Sequence, residues 1–173
     1  DEVGNLIGLL KTNKKNEQLV VIGSHIDTVP SGGRYDGIAG VVSALCVINH
    51  IRKNGIDLPF NLAVYDYLGE ELNDCGTSCI GSRGLAGVLN KEILSRKNTA
   101  GLVLKEEIDK IGGNSKLLNK PLPVIENILA CLELHIEQGK VLEDKKIEIG
   151  VVRSIPSISR FSVTIRGQAG HSG

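Results

Sequence analysis

At 173 residues and 41% hydrophobic content the chain can bury one sizeable core, and its length allows one domain or slightly more. Its 20 basic and 20 acidic residues cancel, which excludes the basic field of a nucleic-acid binder and the acidic tail of a disordered segment. No apolar run approaches the roughly 20 residues that cross a bilayer, and the opening DEVGNLIGLLKTNKKN lacks the order of a signal peptide, so a soluble cytoplasmic protein is expected.

Taken in order, residues 1 to 17 carry a short apolar patch (Leu6, Ile7, Leu9, Leu10) in a polar, lysine-rich setting that indicates little. Leu19 to Ile22 is an apolar run suited to the centre of a parallel sheet, and the strand is expected to reach Ile26. His25 and Asp27, two apart, would then share a face, with Asp27 placed to orient the His25 imidazole. A glycine-rich loop turns the chain and brings back Asp36. From Gly37 the apolar positions Ile38, Val41, Val42, Leu45 and Ile48 predict an amphipathic helix ending near Asn54 and Gly55. Phe60 to Tyr67 is the next strand, completing a βαβ unit, and Glu70 and Glu71 follow its carboxyl end.

Helical patches are expected at Lys91 to Arg96 and Leu102 to Ile111, and Ala130 to Ile136 reads as a third buried strand that delivers His135, Glu137 and Gln138. The whole predicts an α/β fold with a mostly parallel central sheet flanked by helices. Beyond Pro156, Phe161, Val163 and Ile165 alternate with polar residues, predicting a half-exposed strand and a domain boundary that divides 1–156 from 157–173. Cys46, Cys75, Cys79 and Cys131 have no zinc-ribbon spacing and read as free thiols. The absence of Met and the stop just past His171 suggest an internal stretch of a longer chain.

His25, Asp36, Glu70, Glu71 and His135 are the candidate chemistry. Singly, each has a bland reading: a histidine near a strand end is more often a hydrogen-bonded residue, and Glu106 with Glu107 shows that adjacent glutamates are usually solvated. Their coincidence at the carboxyl ends of successive predicted strands favours a site. Oxygen and nitrogen donors without thiolates suit Zn²⁺, with Mn²⁺, Co²⁺ or Ni²⁺ as substitutes. A carboxylate shared by two ions is the usual core of a co-catalytic hydrolase, and Asp36 is the natural bridge.

The segments Gly23-Ser24-His25-Ile26-Asp27-Thr28-Val29-Pro30, Gly32-Gly33-Arg34-Tyr35-Asp36-Gly37, Glu70-Glu71, Gly81-Ser82-Arg83, His135-Ile136-Glu137-Gln138-Gly139 and Gly170-His171 together resemble the hydantoinase/carbamoylase family of amidases. That family includes N-carbamoyl-L-amino-acid hydrolases, allantoate amidohydrolases and β-ureidopropionases, within the clan of dinuclear zinc peptidases. The resemblance implies a zinc-exopeptidase-like catalytic domain and, from residue 157, the start of an α+β dimerisation domain. It implies that His25 and His135 bind one metal, Glu71 the other, and Asp36 both, with Glu70 as general base and Asp27 behind His25. With that ligand set two ions carry +4 against −2 from Asp36 and Glu71, so the site should attract an anionic substrate, and Glu70, beside Glu71, would take a proton from water and pass it to the leaving nitrogen. Gln138 and His171 would contact substrate, His171 across a homodimer, and a further histidine ligand would lie downstream.

The implied reaction is hydrolysis of the carbamoyl C–N bond of an N-carbamoyl-L-amino acid or related ureido acid by a metal-bridged hydroxide. Leu72 to Cys75 depart from the family's Gly-Ser-Arg-Phe-like segment, as do Leu68 and Gly69 from its phenylalanine and aspartate. An aminoacylase or dipeptidase of the same clan is one alternative, and an inactive fragment or binding module is another. Nucleotide binding is disfavoured: the first βα turn has neither GxxxxGK[ST] nor GxGxxG, and it carries acids where phosphate would sit.

Overall fold

The computed structural model describes residues 1–12, 17–156, 159, 161 and 163–171, in two units, Asp1–Ile136 and Glu137–Gly173. The first unit is built on strand β1 (Leu6–Leu10), strand β2 (Leu19–Ser24), helix α1 (Ile38–Lys53), strand β3 (Asn61–Asp66), helices α2 (Ile80–Leu85), α3 (Lys91–Leu94) and α4 (Leu104–Lys110), and strand β4 (Ile128–Leu132). Two 3-10 turns, Ser115–Leu117 and Pro123–Asn127, precede β4. The second unit contains helix α5 (Val141–Lys145), whose first amides, Val141 N and Leu142 N, donate to the Glu137 carboxylate at 2.9 and 2.8 Å.

The sheet order is β1-β3-β2-β4. β2 runs parallel to both β3 and β4, whereas β1 pairs antiparallel with β3. The expected α/β sheet is therefore present with a mixed edge. Strand β1 was not legible because it is a sheet edge: Leu6 and Leu9 stay exposed, and β3 supplies the partner that its own composition does not announce. β2 and β3, by contrast, are interior strands and read as continuous apolar runs.

Side-chain alternation divides the sheet faces. Val21, Ala63 and Tyr65 join Leu89, Ile93, Ile108 and Leu118 in one core on the side of α2 to α4. Each of the larger buried side chains contributes about 1.5–3 kcal/mol by leaving water. α1 covers the other face and reaches Ser24 through Gly40. It buries Gly40 and Ala44, while Ile38, Val42 and Leu45 remain exposed. The helix thus docks on its small residues, which permit close approach to the sheet.

Two boundaries move. β2 stops at Ser24, short of Ile26, and β4 occupies Ile128–Leu132 in place of Ala130 to Ile136. β4 is also exposed along most of its length, contrary to the buried strand predicted, because among the described residues it pairs only with β2. The helical patches become α3, capped by the Asn90 side chain accepting from Ile93 N at 2.9 Å, and α4. The strand expected from Phe161 to Ile165 includes residue 162, outside the described residues, as are 157, 158, 160, 172 and 173 of the expected second domain. The described residues among 161–166 are exposed and form no strand.

Candidate metal centre

The parallel ladder explains why two histidines 110 positions apart meet. Pairing between β2 and β4 ends at Ile22 and Leu132, and His25 and His135 each stand three residues further on. Residues at equal distance past the last pair of a parallel ladder remain side by side and point to one face. Their Nε2 atoms lie 3.4 Å apart and their ring centroids 5.6 Å. Asp36, returned by the glycine loop and 7% exposed, places Oδ1 3.3 Å from His135 Nε2.

The loop after β3 closes the other side. Glu70 Oε2 is 3.7 Å from His25 Nε2, and donor atoms of His25, Glu70 and Glu71 fall within 4.8 Å of one another. The same limit holds for His25, Asp36 and His135. The Glu71 carboxyl is pushed above its ordinary range, first by burial and then by the Asp36 and Glu70 carboxylates.

These residues fit divalent metal. His25 Nδ1 meets the Asp27 carbonyl oxygen at 2.7 Å and His135 Nδ1 meets that of Ile136 at 2.8 Å. Carbonyls only accept, so each Nδ1 donates, and in the neutral imidazoles both Nε2 lone pairs face the same point. Two acceptors 3.4 Å apart call for a cation between them. Ligands at about 2.0–2.1 Å around a tetrahedral zinc stand about 3.3–3.4 Å from each other. The His25–His135 and His135–Asp36 separations match that edge.

Asp27 does more than the sequence suggests. It was expected to orient His25 through its carboxylate, yet Oδ1 lies 3.7 Å from His25 Nδ1, and the backbone oxygen makes the close contact. The carboxylate accepts from the backbone amides of Glu70 at 3.2 Å and Glu71 at 3.0 Å, pinning the acidic pair beneath His25. An amide side chain accepts through one oxygen only and would turn an N–H toward the second amide. Asp27→Asn should therefore destabilise the metal-free protein by about 1–2 kcal/mol, read as a lower denaturant midpoint at constant m. An unmoved midpoint would show that the two bonds do not form in solution.

Sequence reasoning passed over several neighbours. Asp66 Oδ1 accepts from Ile26 N at 3.1 Å, and Ser24 donates to Glu133 at 2.8 Å. The signal for Glu133 was available: a charge within the apolar run ACLELHI. Cys79 directs Sγ to Glu70 Oε1 at 3.5 Å, and burial, followed by Glu70, pushes its thiol up, so it stays protonated rather than reactive. Gln138 and His171 belong to the second unit and are exposed there.

The family model described as Peptidase family M20/M25/M40 matches residues 21–171. Along its full length the chain is 34% identical to a protein named ureidoglycolate hydrolase from Arabidopsis thaliana, covering 38% of it. It is 33% identical to an N-carbamoyl-L-amino acid amidohydrolase from Geobacillus stearothermophilus, covering 42% of that protein. A solved hydantoinase/carbamoylase family amidase from Burkholderia multivorans superimposes with a TM-score of 0.72 at 35% identity, over 84% of this chain and 35% of that one. The chain spans about two fifths of the length of the two named hydrolases.

Proposed function

This chain belongs to peptidase family M20/M25/M40, and from that premise we propose that the whole protein is a metal-dependent amidohydrolase that cleaves the carbamoyl C–N bond of N-carbamoyl-L-amino acids or related ureido acids. The observation that carries the reading is the convergence of His25, Asp36 and His135 on one point, with Glu70 and Glu71 on the adjoining side of His25. Relatives named for carbamoyl and ureido substrates support the choice of bond.

His25, His135 and Asp36 would hold one ion, and Asp36 with Glu71 would contribute to a second, zinc being the best match to the donor set. Bound divalent ions supply Lewis acidity, polarising the carbamoyl carbonyl and acidifying water. Glu70 takes the proton of the attacking water. As the water oxygen bonds to the carbamoyl carbon and the bond to the substituted nitrogen breaks, Glu70 delivers that proton to the leaving nitrogen. The amino acid departs, and the carbamate left behind decomposes to CO₂ and ammonia. Asp27 holds the backbone of Glu70 and Glu71 throughout. By the family resemblance, Gln138 and His171 contact substrate, His171 from the partner subunit of a cytoplasmic homodimer whose second domain opens near residue 157.

A panel of N-carbamoyl-L-amino acids, ureido acids, N-acetyl amino acids and dipeptides, assayed on the zinc-loaded whole protein, tests the proposal. Turnover should be confined to the first two classes and disappear with a chelator. Preference for N-acetyl substrates or dipeptides would make the protein an aminoacylase or dipeptidase instead.

A further inference from the structure

Two polar residues outside the metal chemistry stand just ahead of the two histidines. Ser24, fully buried, immediately precedes His25, and Glu133 lies two residues before His135. The Ser24 hydroxyl donates to Glu133 Oε1 at 2.8 Å. Because the β2–β4 ladder ends at Ile22 and Leu132, this bond joins the two strand extensions after their backbone pairing has stopped. α1 closes the same junction: a methyl group at Gly40 would run into the Leu134 carbonyl oxygen and stand 2.7 Å from Ser24 Cβ.

Resting on the metal-dependent reading above, we infer that Ser24 and Glu133 are positioning residues for the metal site, their hydrogen bond holding the ends of β2 and β4 at the spacing that sets the His25 and His135 Nε2 atoms 3.4 Å apart. The need for such a latch follows from the fold. β2 is an interior strand, whereas among the described residues β4 pairs with β2 alone and residues 133 and 134 are exposed, so past the end of the ladder the Ser24–Glu133 bond supplies the lateral tie between the two extensions. A ligand constellation tolerates a drift of only about 0.5 Å. The hydroxyl is a suitable donor because Ser24 is buried at the end of the interior strand β2, and the carboxylate oxygen is a suitable acceptor because it reaches across from the neighbouring extension.

The test is zinc affinity of the metal-free whole protein, measured by competition with a chromogenic chelator. Ser24→Ala and Glu133→Ala should each weaken zinc binding about tenfold or more. The double variant should be no weaker than the worse single one, since both remove the same bond. Glu133→Gln, which keeps the acceptor oxygen and drops the charge, should retain wild-type affinity, and Glu133→Asp, which withdraws the oxygen by one methylene, should not. Unchanged zinc affinity in both alanine variants, with only thermal stability lowered, would reduce the pair to an ordinary structural contact and overturn the inference. Glu133→Gln binding as poorly as Glu133→Ala would overturn it too, by assigning the effect to charge. A wild-type protein that takes up no zinc would instead overturn the functional reading itself.

Discussion

Glu70→Gln should leave the zinc content of the whole protein at the wild-type level while kcat falls by about 10²–10⁴-fold. The expectation rests on what the substitution keeps. Glu70 is anchored at three points: its amide donates to Asp27, its carbonyl oxygen accepts from Cys79 N at 2.7 Å, and its Oε1 receives the Cys79 thiol. A glutamine of the same shape preserves all three. It cannot take a proton from water. The side chain is 37% exposed and stands 3.7 Å from His25 Nε2, which suits the proposed role of a group that meets solvent beside the candidate ligands. Glu71→Gln provides the contrast, because loss of a carboxylate proposed to hold metal should lower metal content along with turnover. Full activity in Glu70→Gln would remove Glu70 from the base role and leave the proton transfer without an owner on this chain.

Gly37→Ala should lower both stability and zinc uptake, by a larger margin than any other single methyl addition near the site. Gly37 precedes the first turn of α1 at φ +66°, where an L side chain costs about 1–2 kcal/mol. Its Cβ would also press on the His25 carbonyl oxygen and stand 2.5 Å from ring atoms Cε1 and Nδ1. Overpacking of that kind adds about 1–3 kcal/mol, and the imidazole can relieve it only by turning out of the metal site. Gly55→Ala separates the two effects: Gly55 has φ +59° with open space where a Cβ would sit, so it carries the backbone strain without the collision. Thermal melting and zinc stoichiometry of the two variants side by side make the comparison. Equal behaviour would mean that His25 has room that the structure does not show.

The parts of the fold legible from residue types are those whose surroundings are uniform. β2 and β3 are interior strands, so apolar runs reveal them, and the start of α1 is marked by the change from glycine loop to helical periodicity. Strand β1 was not read because its exposed Leu6 and Leu9 sit in a polar setting and its pairing with β3 is not announced by its own residues, while β4 was read from its apolar run but with bounds shifted toward His135. The docking face of α1 was misjudged for a related reason. Hydrophobic periodicity selects large residues, while Gly40 and Ala44 lie against the sheet because small side chains let backbones approach.

The same division runs through the site. Metal chemistry restricts ligands to a few residue types, so His25, Asp36, Glu70, Glu71 and His135 stood out in the amino-acid order alone, and the strand-to-loop rhythm placed them at one rim of the sheet. Hydrogen bonding is open to far more residues and is decided by distance, not by type. That is why the Asp27 carboxylate on the Glu70 and Glu71 amides, the backbone carbonyls that fix both histidine tautomers, and the bond from Ser24 to Glu133 emerged only once the chain was folded. Residue identity determined which atoms could grip a cation; three-dimensional register, set by where the parallel ladder ends, decided how far apart those atoms stand.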